Sequence, residues 1–131
     1  MIAMARVLLV EDEEPLSRLI SWALLDAGHE VGVVTTPEAA VERLSTYVPD
    51  VVVFNTVIAH DQKDSWMARI RETAAEARIL DVSDEKNARA SGIIGASRDG
   101  ASADGSLGLP FPEARLLEAI DRLLAGERVR G

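Results

Sequence analysis

The chain has 131 residues and no cysteine, which excludes a disulfide framework, thiolate chemistry and any cysteine-based zinc site. Aromatic residues make up only 4%, so a core must be built from Val, Leu, Ile and Ala. Basic residues are outnumbered by acidic ones, 14 to 22, for a net charge of -8. That balance argues against direct nucleic-acid or anionic-membrane binding, both of which draw on a basic patch. No apolar run is long enough to span a bilayer. The opening residues, MIAMARVLLVED, have no charged head, long apolar stretch or small-residue cleavage site of a secretion signal. These absences lead to the expectation of a soluble, cytoplasmic domain. What remains is 47% hydrophobic. It suits one domain over residues 1–131, with a core from about 5 to 126 and little room for a second.

Apolar patterning then sets out the elements in order. Arg6 to Val10 reads as a short strand and runs into the acidic stretch Glu11 to Glu14. Pro15 suits the first turn of a helix whose inner stripe is Leu16, Leu19, Ile20, Ala23, Leu24 and Ala27, with Gly28 able to close it. Trp22 flanks that stripe and is expected to be half exposed, a hint of a contact surface. Val31 to Val34 is a second strand. Thr36 and Pro37 start a second helix that buries Ala40, Val41 and Leu44. PDVVVFN, residues 49–55, is a strand apolar on both faces that ends on the amide of Asn55. Asp64 or Ser65 could cap a third helix, where Trp66 and Met67 begin a packed face continued by Ile70 and Ala74. Arg78 to Val82 is a fourth strand with one odd member, Asp81. Pro112 opens a last helix with Leu116, Leu117, Ile120, Leu123 and Leu124 inward; Gly126 stops it, and Glu118 and Arg122 form a surface pair.

Between Ser83 and Gly108 five glycines stand among Ser, Asn and Asp, a composition that favours turns over a helix. Only one short stretch there, about Glu85 to Ala90, reads as helical. An unpartnered carboxylate inside an apolar strand is costly. Asp81 therefore needs a partner or an open neighbourhood, and the irregular stretch makes the open neighbourhood the expectation. His29 and His60 have no ligand-spaced companions and are expected at the surface.

Strands alternating with helices over short connections predict a parallel sheet with helices on both faces. Ligands of such sheets bind beyond the carboxyl ends of the strands. Those ends carry Glu11 and Asp12, then Asn55, then Ser83, then Leu109 before Pro110. Glu11 and Asp12 are hard oxygen donors of the kind magnesium takes.

Four separated blocks, RVLLVEDEEPLSRLISWALLDAGHEV, PDVVVFN, RILDVSD and LPFPEARLLEAI, together resemble the response-regulator receiver family over nearly the whole chain. The resemblance implies an α/β flavodoxin-like (βα)5 fold: a doubly wound, parallel five-stranded sheet in the order 2-1-3-4-5. Here the fourth-helix region, residues 84–108, is expected to be irregular. It further implies magnesium-assisted phosphoryl transfer from a histidine kinase to an aspartate, and a cis bond between Leu109 and Pro110. Glu11 and Asp12 match the family's metal-binding acids, and Ser83 its hydroxyl position. Asn55, however, falls on the phosphoacceptor aspartate, Leu109 on the phosphate-pairing lysine and Ser106 on the aromatic switch. The loop after Asn55, TVIAHDQKDSW, lacks the family's usual Pro and Gly.

An amide is no useful nucleophile toward phosphorus, so the resemblance is to a degenerate member. Glu11 and Asp12 are left with two readings: a solvated acidic turn that favours the following helix through its dipole, or weak residual magnesium binding. Ser83 reads first as a helix cap and second as a phosphate ligand. The function expected is a non-enzymatic signalling module with no cofactor beyond weak magnesium. Its partner would be a protein, either a histidine kinase or an output domain; the sequence assigns no oligomeric state. Two other functions compete. One is a working phosphorelay receiver that uses Asp61 or Asp64. The other is a flavodoxin-like ligand-binding domain or enzyme, against which stands the lack of a glycine-rich or Asp-x-His-x-x-Gly loop after strand one.

Overall fold

The computed structural model describes residues 4–84, 103–126 and 129–130. Strands β1 (Arg6–Val10), β2 (Glu30–Val34), β3 (Val51–Asn55), β4 (Arg78–Asp84) and β5 (Gly105–Leu109) lie parallel in the order β2-β1-β3-β4-β5. This is the five-strand order the resemblance implies. A two-residue strand that sequence reasoning did not find, β6 (Val129–Arg130), joins parallel to β5 opposite Gly105 and Ser106. Four α-helices lie among the described residues: α1 (Glu14–Asp26), α2 (Pro37–Arg43), α3 (Lys63–Thr73) and α4 (Glu113–Leu124). Most of the stretch expected to be irregular, including the short helical candidate, falls at residues 85–102, outside the described residues.

Successive strand residues face opposite layers. Val7, Leu9, Val51, Val53, Leu80 and Val82 pack against α1 and α4. Leu8, Val10, Val52, Phe54 and Ile79 pack against α2 and α3. Helices on both faces account for the unbroken apolar run of β3, whose five residues are all buried. Each fully buried Val, Leu or Phe contributes about 1.5–3 kcal/mol relative to exposure. No helix among the described residues is long and apolar enough to cross a membrane.

Local signals set several boundaries. Gly28 takes φ +95° after α1, and the amides of Gly28 and His29 bond back to the carbonyls of Leu25 and Leu24, the paired closure that a left-handed glycine permits. The hydroxyl of Thr36 accepts the Ala39 amide and caps α2.

Several expectations are overturned. His29 is buried rather than at the surface: the closing turn after α1 carries it under β1, where its Nδ1 accepts the Ala5 amide at 2.9 Å. Leu19 leaves the inner stripe and is 63% exposed, because Leu16, Ile20, Ala23 and Leu24 already fill the arc of α1 that faces the core. Neither Asp64 nor Ser65 caps α3. A 3-10 turn over Thr56–Gln62 leads directly into it at Lys63. The side chain of His60, in that turn, lies outside the described residues. Trp66 and Met67 do begin the packed face of α3, with Arg69 stacked 4.6 Å over the Trp66 ring.

Candidate functional site

β1 and β3 are neighbours in the sheet, so Glu11 and Asn55, each just past a strand's apolar run, meet at its carboxyl end. Glu11 is 1% exposed and Asn55 8%. The amide of Asn55 bridges two fixed groups. Its Nδ2 donates to Glu11 Oε1 at 2.8 Å, and its Oδ1 accepts the Val57 amide at 3.1 Å. A carboxylate accepts only and a backbone N–H donates only, so one orientation of the amide serves both. The second oxygen of Glu11, Oε2, accepts the Glu13 amide at 3.0 Å. Burial pushes the Glu11 carboxyl above its usual range, and the charge of Asp12 adds to this; the Glu13 amide and Asn55 pull the other way. Asn55 thus does two things: it starts the 3-10 turn and supplies the positive end of a dipole to a buried carboxylate.

A cleft of about 460 Å³ opens above this bridge, lined by Asp12, Asn55, Val57, Leu109 and Pro110 among others. Asp12 is exposed beside it. Leu109 presents an aliphatic wall, and its bond to Pro110 is cis, as the resemblance implies. Ser83 is half-buried on β4, in register with Gly108; its reading as a helix cap concerns residues outside those described. Ser106 is half-buried on β5, in register with Asp81. Asp61 and Asp64 are exposed and do not line the cleft.

The residues present do not fit a magnesium centre as arranged. Both oxygens of Glu11 are already engaged, and the group facing it is an amide donor rather than a third oxygen ligand. Among the described residues, no three His, Asp or Glu side chains converge on a point a metal could occupy.

One polar cluster escaped sequence reasoning. Asp81 is buried and partnered, not left in an open part of the sheet as expected. The hydroxyl of Thr56 donates to its Oδ1 at 2.7 Å, and the buried Lys63 ammonium opposes its charge. Burial nevertheless holds the Asp81 carboxyl above its usual range, with Asp64 adding to the effect and Thr56 and Lys63 working against it. Lys63 Nζ itself has no hydrogen-bond partner. The register of β3 with β4 sets Asp81 beside Phe54, facing the helix that Lys63 begins. Lysine in the polar stretch HDQKDS gave no sign of burial.

The fold and cleft can be set beside solved structures. NtrX from Brucella abortus, in complex with ADP, superposes with a TM-score of 0.82 at 21% identity over 95% of this chain, which spans 27% of the NtrX chain. The receiver domain of a sensor histidine kinase from Pseudomonas aeruginosa matches with a TM-score of 0.77 at 21% identity, over 94% of this chain and 99% of that one. This is a receiver-domain fold. Chemotaxis response regulator CheY4 of Vibrio cholerae, a further receiver-fold protein, gives a TM-score of 0.72 at 22% identity, covering 92% and 99%. The Pseudomonas receiver domain holds a magnesium ion in its active-site cleft. No protein-family model matches the sequence, and no curated protein matches it either.

Proposed function

We propose that this receiver-fold chain is a signalling module of a two-component system that works by protein contact and accepts no phosphoryl group on an aspartate. The observation that carries the reading is the Asn55 bridge: the side chain at the acceptor position is a neutral amide with both ends committed, to Glu11 and to Val57. An acyl phosphate requires an attacking carboxylate. Leu109, at the lysine position, gives the cleft no cation to meet developing phosphoryl charge. Loss of acceptor and cation together is coherent. Magnesium affinity left at Glu11 and Asp12 is weak, the chain is no enzyme, and the partner is a histidine kinase or an output domain in the cytoplasm.

The test is phosphate uptake from a small-molecule phosphodonor with magnesium saturating, followed by intact mass. Four proteins are compared: the unaltered chain, Asn55→Asp, Leu109→Lys and the double variant. The unaltered chain stays unlabelled. Asn55→Asp labels slowly and the double variant far faster, because an absent electrostatic partner of this kind costs about 2.7–4 kcal/mol, or a hundred- to thousand-fold in rate. Ready labelling of the unaltered chain refutes the reading and directs attention to Asp61 and Asp64.

A further inference from the structure

The sheet is covered at one edge and open at the other. β6 lies along β5, whereas β2 ends the sheet, and no strand among the described residues covers its outer side. The Glu30 amide donates to the Ala5 carbonyl at 2.8 Å, and the Val34 carbonyl accepts the Glu11 amide at 3.0 Å. Even-numbered residues of β2 therefore turn their backbone groups toward β1. Val31 and Val33 turn theirs outward. Sheet edges are ordinarily blunted by lysine, proline or a bulge, because a row of free N–H and C=O groups is a template for another strand. From Val31 to Thr36 there is neither a charge nor a proline, and Val33 is 46% exposed.

The stretch Val31-Gly32-Val33 is its own complement. Turn a second copy about a two-fold axis through Gly32, and the two β2 strands run antiparallel with Val31 opposite Val33. The outward N–H and C=O of each Val31 then meet those of Val33 in the other copy, the bonded pair of an antiparallel ladder. The same exchange occurs on both sides of the axis, as an isologous contact requires. Val31 and Val33 share the face that carries α1, so each exposed Val33 gains an apolar cross-strand neighbour. Glu30 falls opposite Val34. No like charges meet directly across the edge, although the chain carries -8 overall. Gly32 leaves the axis free of side chains, with the Tyr47 ring beside it, 3.4 Å from where a Cβ would stand.

We infer that β2 is a self-pairing edge, through which a second copy of the chain adds to the sheet antiparallel about Gly32. Stable interfaces bury about 1,200–2,000 Å² in total. A five-residue strand edge falls toward or below the lower limit, so the pairing is reversible and driven by concentration. Antiparallel strands point their carboxyl ends in opposite directions. The dimer therefore carries its two Asn55 clefts at opposite ends of one continuous sheet, and neither cleft is covered. Pairing of this kind goes beyond contact signalling and is independent of whether the chain takes up phosphate.

Sedimentation of the unaltered chain, at concentrations up to about 1 mM, should show a reversible monomer–dimer equilibrium with nothing larger. Val33→Pro deletes an N–H that points away from β1, which an edge strand tolerates. It removes half of the bonds between copies and should weaken dimerisation at least about tenfold, with a thermal melt close to that of the parent. A second variant reads the pairing without loss of a bond. Gly32→Cys introduces a single thiol into a chain without cysteine. Opposed residues of a non-bonded antiparallel pair have Cα atoms about 4.5 Å apart, within the range of about 4.4–6.8 Å that a disulfide spans. Mild oxidation at micromolar concentration should cross-link Gly32→Cys into dimers. Ala114→Cys, equally exposed on α4, should stay monomeric. A parent that remains monomeric throughout, a dimer indifferent to Val33→Pro, or equal cross-linking of the two cysteine variants would each overturn the inference.

Discussion

Replacing Asn55 by Asp should make the stability of this domain depend on magnesium. In the present arrangement Asn55 Nδ2 donates to Glu11 Oε1 across 2.8 Å, in a site where Glu11 is 1% exposed. Asn55→Asp puts an oxygen where that donor was. It removes a hydrogen bond to a charged group, worth about 1.5–3 kcal/mol. It also sets two carboxylates side by side, with roughly 4 kcal/mol of repulsion at a 4 Å charge separation and an effective dielectric near 20. Rotation of the new side chain and uptake of a proton by the pair relieve part of this, leaving a net loss of about 2–4 kcal/mol in chelator at neutral pH. For a domain of this size that is a fall of roughly 10 °C in Tm. Thermal and urea unfolding followed by circular dichroism, first in EDTA and then in saturating magnesium, would measure it. The variant should melt well below the parent in EDTA and regain most of the loss with magnesium, which supplies the positive charge that the amide now supplies. The parent should melt alike in both. A variant as stable as the parent in EDTA, or a parent that gains as much from magnesium as the variant, would refute the claim that the amide stands in for a cation.

Two further outcomes concern buried polar groups away from the cleft. The Asp81 carboxyl sits above its ordinary 3.8 because it is buried, so the folded state holds that proton more tightly than the unfolded one. Its contribution to stability is complete below pH 3.8 and is lost as pH rises through the raised value. Asp81→Asn keeps an acceptor for Thr56; urea titrations across pH should show the parent gaining on this variant as pH falls from neutral, and parallel curves would refute the assignment. His29→Phe fills the space but leaves the Ala5 amide without its acceptor, at a cost of about 1–3 kcal/mol, read as a lower urea midpoint with an unchanged slope.

Much of the fold is written locally. The apolar run at 51–54, Pro15 and Gly28 around α1, and Thr36 before α2 each specify their element through neighbours in the chain. The strand ends could be read as a site because strand parity delivers one residue from each to the same edge. What could not be read were the polar groups that fold inward. Whether His29 is surface or core depends on where the turn after α1 meets β1, a contact across 24 residues. Asp81 finds Thr56 only through the register of β3 with β4. The Asn55–Glu11 bond spans 44 residues, so the identity of Asn55 was legible while its partner was not. Leu19 shows the opposite error: helical periodicity assigned it to the core, yet an arc of α1 holds only as many side chains as the sheet beneath can cover.

The tied amide of Asn55 also bears on how such a part can be controlled. A two-state element moves only when something binds its two states unequally. Asn55 has no charge to gain or lose at physiological pH, and both ends of its amide are spoken for within the fold. On the contact-only function proposed above, its contribution is the same whether phosphate and magnesium are scarce or abundant. Under that proposal, a circuit that contained such a part would read how many copies are present and where they are held, so its control would be a matter of dosage and address, with timing set by synthesis and turnover.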